Sequence, residues 1–175
     1  MDQPYDAGVI RAATEDDVAD LQSVERAANQ MFREVGMEAV ADYPATSAAE
    51  LSTLIGDGRA WVVVDDRDRP VACLFFAVVD GCAHVEQVSV HPDHAGRGLG
   101  KLLLARVVEL ARGRGLAALT LTTFRDVPWN APFYERRGFR VLTDRELTDG
   151  LVARRATEAA AGLDPDLRVA MRREV

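Results

Sequence analysis

Apolar residues recur along this chain at two spacings, and each spacing predicts a different kind of element. Runs in which apolar and polar residues alternate, or in which β-branched residues dominate, predict strands. These runs lie at 8–13, at 59–81 as a hairpin around a proline-terminated turn, at 82–90, at 116–124, from Phe139 onward, and at 167–175 as a final edge strand.

Apolar residues spaced three or four apart predict helices between these strands. Thr14 precedes the first helix as an N-cap, and residues 47–50 (Ser-Ala-Ala-Glu) form a capping box for a second helix that runs to about Ile55. Further helices are predicted from Leu99 to the Gly-Arg-Gly at 113–115, over 131–139 with a closing glycine at 138, and over 146–162.

The order of these elements defines the expected fold class. One strand and two helices precede three antiparallel strands, after which helices and strands alternate to the end of the chain. This order predicts an α/β protein of the α+β type, with a mixed, mainly antiparallel central sheet flanked by helices. The length of 175 residues suits a single domain over 1–175.

Composition and charge argue against nucleic-acid binding and membrane insertion. The net charge of −7 argues against nucleic-acid binding, which needs a basic face. No apolar run approaches the ~20 residues that span a bilayer, and the N-terminus has no signal-peptide pattern, so we expect a cytoplasmic protein that binds no membrane. Cys73 and Cys82 are expected to be reduced.

Three glycines mark the junction between the 82–90 strand and the following helix. Gly96, Gly98 and Gly100 stand at alternate positions there, with Arg97 between the first two and Lys101 directly after the third. Backbone amides without side chains can wrap an anion, and a helix N-terminus attracts negative charge. Lys101 is the only lysine, and it opposes the helix dipole unless an anion is bound. The pattern favours a pyrophosphate site.

Two nucleotide-binding motifs fail at this loop. A Walker A motif needs Ser or Thr where Leu102 stands and a glycine where Ala95 stands, and a dinucleotide fingerprint needs a glycine at position 101. The preceding hairpin is also not the βαβ unit of a dinucleotide fold. An ATP- or NAD-dependent enzyme is therefore disfavoured.

The stretch "VSVHPDHAGRGLGKLLL" at 88–104 resembles the central motif of the GNAT superfamily, the Gcn5-related N-acetyltransferases. The second segment of that family resembles "VPWNAPFYERRGF" at 127–139, and the similarity covers roughly residues 8–142. The resemblance implies a fold with a splayed strand pair that holds acyl-CoA. It also implies direct acetyl transfer from acetyl-CoA to a primary amine in a ternary complex.

The resemblance assigns acetyl-CoA to two groups of residues. The backbone of the 82–90 strand would bind pantetheine and the thioester, the glycine loop would bind the pyrophosphate, and the second segment would add side-chain contacts. The residues concerned are Val88, Ser89, Val90, Ala95, Gly96, Arg97, Gly98, Leu99, Gly100, Lys101, Asn130 and Phe133. The family usually has Gln or Arg where Ala95 stands, so we expect weaker or rearranged phosphate contacts, with Arg97 as a replacement donor.

Tyr134 matches the family tyrosine that protonates the leaving sulfur, since a phenol stays protonated at neutral pH. On its residues alone, it is an aromatic that packs on an amphipathic helix. Asn130 stands just before that helix, where it would cap the helix.

Two residues compete for the role of general base. Glu86 lies among apolar neighbours on one face of an alternating strand, and similar strand glutamates in the family act on the amine through water. His84 on the same face is the second candidate, because histidine titrates near neutrality. A surface glutamate paired with an arginine is the alternative for Glu86, and the reaction needs no strong base if the neutral amine is selected on binding.

The resemblance implies that the acceptor is a small-molecule or peptide amine. In the family, the first two helices and their loop shape its pocket, and here this region mixes apolar side chains with acids, namely Met31, Phe32, Met37, Tyr43, Glu25, Glu34, Glu38 and Asp42. The acids suit a cationic amine, or they form a solvated helix face. His91 and His94 are expected to be turn residues rather than metal ligands, so no metal is expected.

Two questions stay open at the level of sequence. A non-catalytic acyl-CoA-binding sensor or docking module on the same fold is the competing function, since a fold does not decide activity. Residues 144–163 are a long stretch before a final strand, and they suit either a homodimer interface or a cover for the acceptor site.

Overall fold

The computed structural model describes residues 9–175. The predicted absence of a signal peptide falls partly on residues outside this range, as does the first residue of the strand predicted at 8–13. The strands are β1 (Val9–Ala12), β2 (Ala60–Val64), β3 (Pro70–Val79), β4 (Cys82–Val90), β5 (Ala118–Phe124), β6 (Arg140–Val141) and β7 (Arg168–Glu174). The helices are α1 (Val18–Asn29), α2 (Glu38–Ala41), α3 (Ala48–Gly56), α4 (Leu99–Gly113), α5 (Ala131–Glu135) and α6 (Asp149–Ala160).

The described strands form one seven-stranded sheet in the order β1-β2-β3-β4-β5-β7-β6. The pair β4–β5 is parallel, and the pairs β1–β2, β2–β3, β5–β7 and β6–β7 are antiparallel. The predicted fold class, a mixed and mainly antiparallel sheet flanked by helices, is confirmed.

The last strand departs from the prediction. We expected 167–175 to form an edge strand, but β7 lies between β5 and β6. Its first four residues are buried, and Arg168–Glu174 pairs along its whole length with Ala118–Phe124. The alternation of β7 suited an edge, because a strand with one covered face reads the same at the edge and inside a sheet. The two-residue β6 is the edge instead.

The chain divides into two compact units. The first unit comprises the described residues up to Phe76 together with Gln87–Arg106, and the second comprises Ala77–Glu86 together with Val107–Val175. The core of the first unit is built from apolar side chains of α1, α3, β2 and β3, including Leu21, Leu51, Val62 and Phe75.

The predicted helix starts of the first unit are confirmed. The Ser47 hydroxyl accepts from the Glu50 amide, and the Glu50 carboxylate accepts from Ser47, so this capping box is formed. Thr14 and Asp17 form a similar box at a 3-10 turn that leads into α1. Such caps pair backbone groups that a helix end leaves unpaired, and they fix where the chain enters each helix.

In the second unit, α6 packs through Leu151 on a small core with Leu142 and Ala170. The backbone N–H of Gly150 donates to Asp80 Oδ2 at 2.9 Å, which joins the start of α6 to the β3–β4 turn. The stretch at 144–163, left open at the level of sequence, therefore contains a helix that packs on its own unit. No helix within residues 9–175 is long and apolar enough to cross a membrane.

Candidate functional site

The glycine loop joins β4 to α4 through a 3-10 turn over Pro92–His94. Gly96 and Gly98 have φ of 77° and 75°, a left-handed conformation that costs other residues ~1–2 kcal/mol. Their Cβ positions face open space. Glycine is therefore needed at these two positions for the backbone conformation. Gly100, in contrast, has a helical backbone in the first turn of α4 and is buried.

This loop presents donors and cations around the start of α4. The Gly98 carbonyl accepts from Leu102 at 3.1 Å, so the α-helical bonds begin there, and the first-turn amides have no intrahelical carbonyl to pair with. Arg97 and Lys101 are exposed beside them. The Ala95 amide donates to the Pro92 carbonyl at 3.0 Å, so this amide is already paired within the loop.

The end of β4 carries a buried polar network. Ser89 is 1% exposed and accepts from Gln87 at 2.8 Å. Burial raises the pKa of the Cys73 thiol of β3, and hydrogen bonding by Ser89 opposes this effect. Val88 and Val90 are half-buried on the other face of the strand. The parallel pairing of β4 with β5 joins Ala83–Val85 to Leu119–Leu121, and β4 continues beyond it to Val90.

The acids expected near the acceptor separate into two kinds. Glu34, Glu38 and Asp42 are exposed, and Asp42 pairs with Arg33. Glu25 is instead 3% exposed, and its Oε2 accepts hydrogen bonds from Thr46. Three of the four acids therefore form a solvated surface, while the fourth is buried in the first unit. Nothing in the residue pattern separated Glu25 from the others, because Thr46 lies 21 positions away.

Tyr134 lies in a small aromatic cluster of the second unit. Its ring meets those of Phe133 and Phe139 edge to face, at centroid separations of 5.1 and 5.6 Å. Burial raises the pKa of Tyr134 to about 12, against a small opposing effect of Arg137. The phenol therefore stays protonated through the whole physiological range and is able to donate.

Asn130 is the N-cap of α5, and Phe133 directly precedes Tyr134 on that helix. The Asn130 carbonyl accepts from the amides of Phe133 and Tyr134, whereas its side chain makes no capping bond. The expected side-chain cap is therefore absent, and Asn130 starts the helix through its backbone. The guanidinium of Arg137 lies 3.5 Å from the Phe133 ring centroid, so one face of that ring is covered.

The structure corrects the expected surroundings of Glu86. The sequence favoured a desolvated carboxylate among apolar neighbours, but Glu86 is exposed and forms an ion pair with Arg154 of α6. The apolar strand neighbours lie on β4 itself, while the helix that covers this face contributes an arginine. The role of Glu86 as a base stays untested, but the burial that suggested the role is wrong.

The burial and the pKa of His84 also differ from the prediction. It is 2% exposed, and its Nδ1 lies 2.9 Å from Thr120 Oγ1 on β5. Burial, with a smaller effect of Arg154, lowers the pKa of His84 to about 4. The expected titration near neutrality is therefore wrong, because that expectation assumed a solvated imidazole.

His91 and His94 lie in the 3-10 turn before the glycine loop. His91 Nδ1 accepts from the Asp93 amide, and His94 lies 3.4 Å from an Arg97 nitrogen. Across residues 9–175, no group of three or more His, Cys, Asp or Glu side chains is arranged to hold a metal ion.

The model of the acetyltransferase (GNAT) family matches residues 21–139. The chain belongs to this family.

A curated relative and two solved structures extend the comparison. The peptidyl-lysine N-acetyltransferase YjaB of Salmonella typhimurium is 32% identical over 105 residues, which cover 58% of this chain and 66% of that protein, just under two thirds. The PaiA N-acetyltransferase of Thermoplasma acidophilum, solved with coenzyme A, matches with a TM-score of 0.66 and 17% identity over 95% of this chain and 98% of that chain.

The N-acetylglutamate synthase of Neisseria gonorrhoeae, solved with coenzyme A and N-acetylglutamate, matches with a TM-score of 0.72 and 20% identity. That match covers 95% of this chain and 34% of the synthase. At these identities, the two structures show a shared fold.

Proposed function

We propose that this protein transfers the acetyl group of acetyl-CoA directly to a primary amine in a ternary complex. The observation that carries the proposal is the loop at Gly96 and Gly98, whose left-handed backbone precedes α4 inside the segment that matches the family. A loop of this form offers amides to a pyrophosphate, and the helix start adds a favourable dipole.

Within the first unit, the loop and β4 would hold different parts of acetyl-CoA. The amides after Ala95, with Arg97 and Lys101, would bind the pyrophosphate. The backbone of Val88 and Val90 would bind pantetheine and direct one amide at the thioester oxygen. A preorganised donor of this kind is worth about 3 kcal/mol in an acyl-transfer transition state.

The proposed reaction proceeds without a covalent enzyme intermediate. The ammonium loses one proton, and the amine lone pair then forms the N–C bond to the thioester carbonyl. The C–S bond breaks, and the second proton of the nitrogen ends on the sulfur. The products are the acetylated amine, free coenzyme A and one proton.

Tyr134 would stabilise the leaving sulfur. An ordinary thiol has a pKa of about 8.5, well below the value of about 12 for Tyr134. Complete proton transfer from this phenol to a thiolate is therefore uphill. We assign Tyr134 the role of a hydrogen-bond donor to the sulfur as negative charge develops there, with Asn130 and Phe133 as further contacts to the cosubstrate.

The acceptor is proposed to be a small-molecule or peptide amine that reaches the first unit near Met31, Phe32 and Met37, which are half-buried. We place the reaction in the cytoplasm, where acetyl-CoA and reduced thiols are present. Cys73 and Cys82 are both unpaired and buried.

Thiol release from acetyl-CoA tests this function directly. The panel comprises spermidine, kanamycin, L-glutamate, a peptide with a free N-terminus, and the same peptide N-acetylated with an internal lysine. Turnover with one amine class establishes the transferase and identifies its acceptor chemistry. Binding of acetyl-CoA without turnover on any amine would instead favour the non-catalytic sensor.

A further inference from the structure

Glu25 of α1 is a buried carboxylate with one oxygen unaccounted for. Its Oε2 accepts from the Thr46 backbone N–H at 3.2 Å and from the Thr46 hydroxyl at 3.0 Å. Its Oε1 is fully buried and has no hydrogen-bond partner among the residues that the structure describes. A carboxylate oxygen buried in this way costs stability, and proteins retain few such groups without a function.

This carboxylate lies beside the strand that is proposed to hold the thioester. Burial and the charge of Glu25 raise the pKa of the Cys73 thiol of β3, and hydrogen bonding by Ser89 of β4 lowers it. Ser89 stands between Val88 and Val90, the two residues whose backbone is expected to bind the cosubstrate. All of these residues belong to the first unit, as does the glycine loop.

The two base candidates from sequence are poorly suited to the role. Glu86 is already paired with Arg154, and His84 is buried and neutral. Glu25, in contrast, is held by Thr46 in one orientation and makes no ion pair within residues 9–175. Its Oε1 accepts no hydrogen bond from the residues that the structure describes.

We propose that Glu25 binds the ammonium group of the acceptor through Oε1 and accepts its proton before the amine attacks; this inference rests on the proposed acetyl transfer. The ammonium gives one proton to Oε1, which leaves a neutral amine and a carboxylic acid. The lone pair then attacks the thioester carbon as the C–S bond breaks. The Glu25 proton returns to solvent after product release.

The surroundings of Glu25 raise its pKa above the ordinary value for a carboxylate. Burial raises its pKa, the two Thr46 hydrogen bonds and Arg26 lower it, and Glu50 of α3 raises it slightly, for a net upward shift. The Cys73 thiol, whose own pKa is raised by burial and by Glu25, stays protonated beside it.

The Glu25→Gln substitution tests this role, because glutamine still accepts from Thr46 but cannot take a proton. With each panel amine that the wild type accepts, kcat/KM at pH 7 should fall about 10²-fold and recover as the pH approaches the pKa of the amine. Acetyl-CoA affinity should stay within about twofold. Asp20→Asn is the matched control, since Asp20 is an exposed acid on the same helix. It should behave as wild type.

A stability measurement distinguishes this role from a structural one. A raised pKa in the folded state means that the charged carboxylate opposes folding at pH above the folded value. Glu25→Gln should therefore raise Tm by about 3 °C at pH 7.5, and the gain should vanish near pH 4. A carboxylate that holds the fold together would give a lower Tm at pH 7.5, which would overturn the proposal.

The kinetic measurements distinguish a failure of the Glu25 proposal from a failure of the proposed acetyl transfer. An unchanged pH profile in Glu25→Gln, or the alkaline recovery appearing in Glu86→Gln instead, would refute Glu25 as the base. A wild-type protein that binds acetyl-CoA and acetylates no amine would contradict the proposed function itself. In that case, the Tm measurement still decides whether Glu25 is retained at the expense of stability.

Discussion

At the scale of single residues, the cost of burying a charge explains for which predicted site residues the structure differs from the prediction. The importance of Gly96 and Gly98 for the loop could be predicted from sequence. Most other residues are excluded from the left-handed backbone that these two positions have. Tyr134 could be placed on its short helix by the same local reasoning. The surroundings of Glu86, His84 and Glu25 could not, because each depends on a partner 21 to 68 positions away.

Tyr134→Phe removes only the phenolic hydroxyl from the aromatic cluster. If Tyr134 donates to the developing thiolate, kcat should fall about 10²-fold while the acetyl-CoA Kd changes by less than about twofold. Stopped-flow turnover and calorimetric binding measure the two quantities separately. Equal turnover in the variant would leave Tyr134 as a packing residue.

His84 should make stability depend on pH in a defined direction. Its pKa is about 4 in the folded protein and ordinarily about 6.5, so the unfolded chain binds the extra proton first as the pH falls. The stability contributed by neutral His84 is complete above about pH 6.5 and is lost between there and pH 4. It amounts to about 3 kcal/mol.

Thermal unfolding of wild type and His84→Gln between pH 7.5 and 4 tests this claim, with His94→Gln as the control. The fall in Tm with acid should be smaller in His84→Gln than in the other two proteins. Parallel curves for all three would show that the imidazole titrates normally.

At the scale of elements, local signals predicted the starts of α3 and α5 and both ends of α4, but they did not predict which distant segments pack together. The Ser47–Glu50 box and the left-handed Gly138 lie where the sequence placed them. The position of β7 inside the sheet was missed, since pairing with β5 and β6 is a property of distant segments. The same holds for α6, which meets the sheet through Asp80, Glu86 and Thr122.

Gly150→Ala should loosen the attachment of α6. An added Cβ would lie 2.5 Å from both Asp80 Oδ2 and Val79 Cγ1, closer than real atoms pack. We expect a loss of about 2 kcal/mol in unfolding free energy, or roughly 6 °C in Tm. Gly113→Ala is the control, because its Cβ would meet open space and its backbone is helical. A Tm of Gly150→Ala equal to that of the control would show that α6 can shift to accommodate the Cβ without loss of unfolding free energy.

At the scale of the whole molecule, the sequence predicted the fold class and the family, because both rest on the order of elements and on two spaced motifs. Residues 21–139 carry the family match, and the described sheet has the expected mixed topology. The chain is acidic overall, with a net charge of −7, yet its only lysine lies at the glycine loop. The proposed anion binding therefore rests on this loop and does not follow from overall charge.

Calorimetric titration of acetyl-CoA into wild type, Gly98→Asn and Gly98→Asp tests the central claim most directly. Asn and Asp both enter the left-handed region, so the two variants share a backbone and differ in one negative charge. If the loop binds the pyrophosphate, Gly98→Asn should stay within about threefold of the wild-type Kd. Gly98→Asp should bind about 30-fold more weakly, from a repulsion of about 2 kcal/mol. Equal affinities for Gly98→Asp and Gly98→Asn would mean that the pyrophosphate is bound elsewhere.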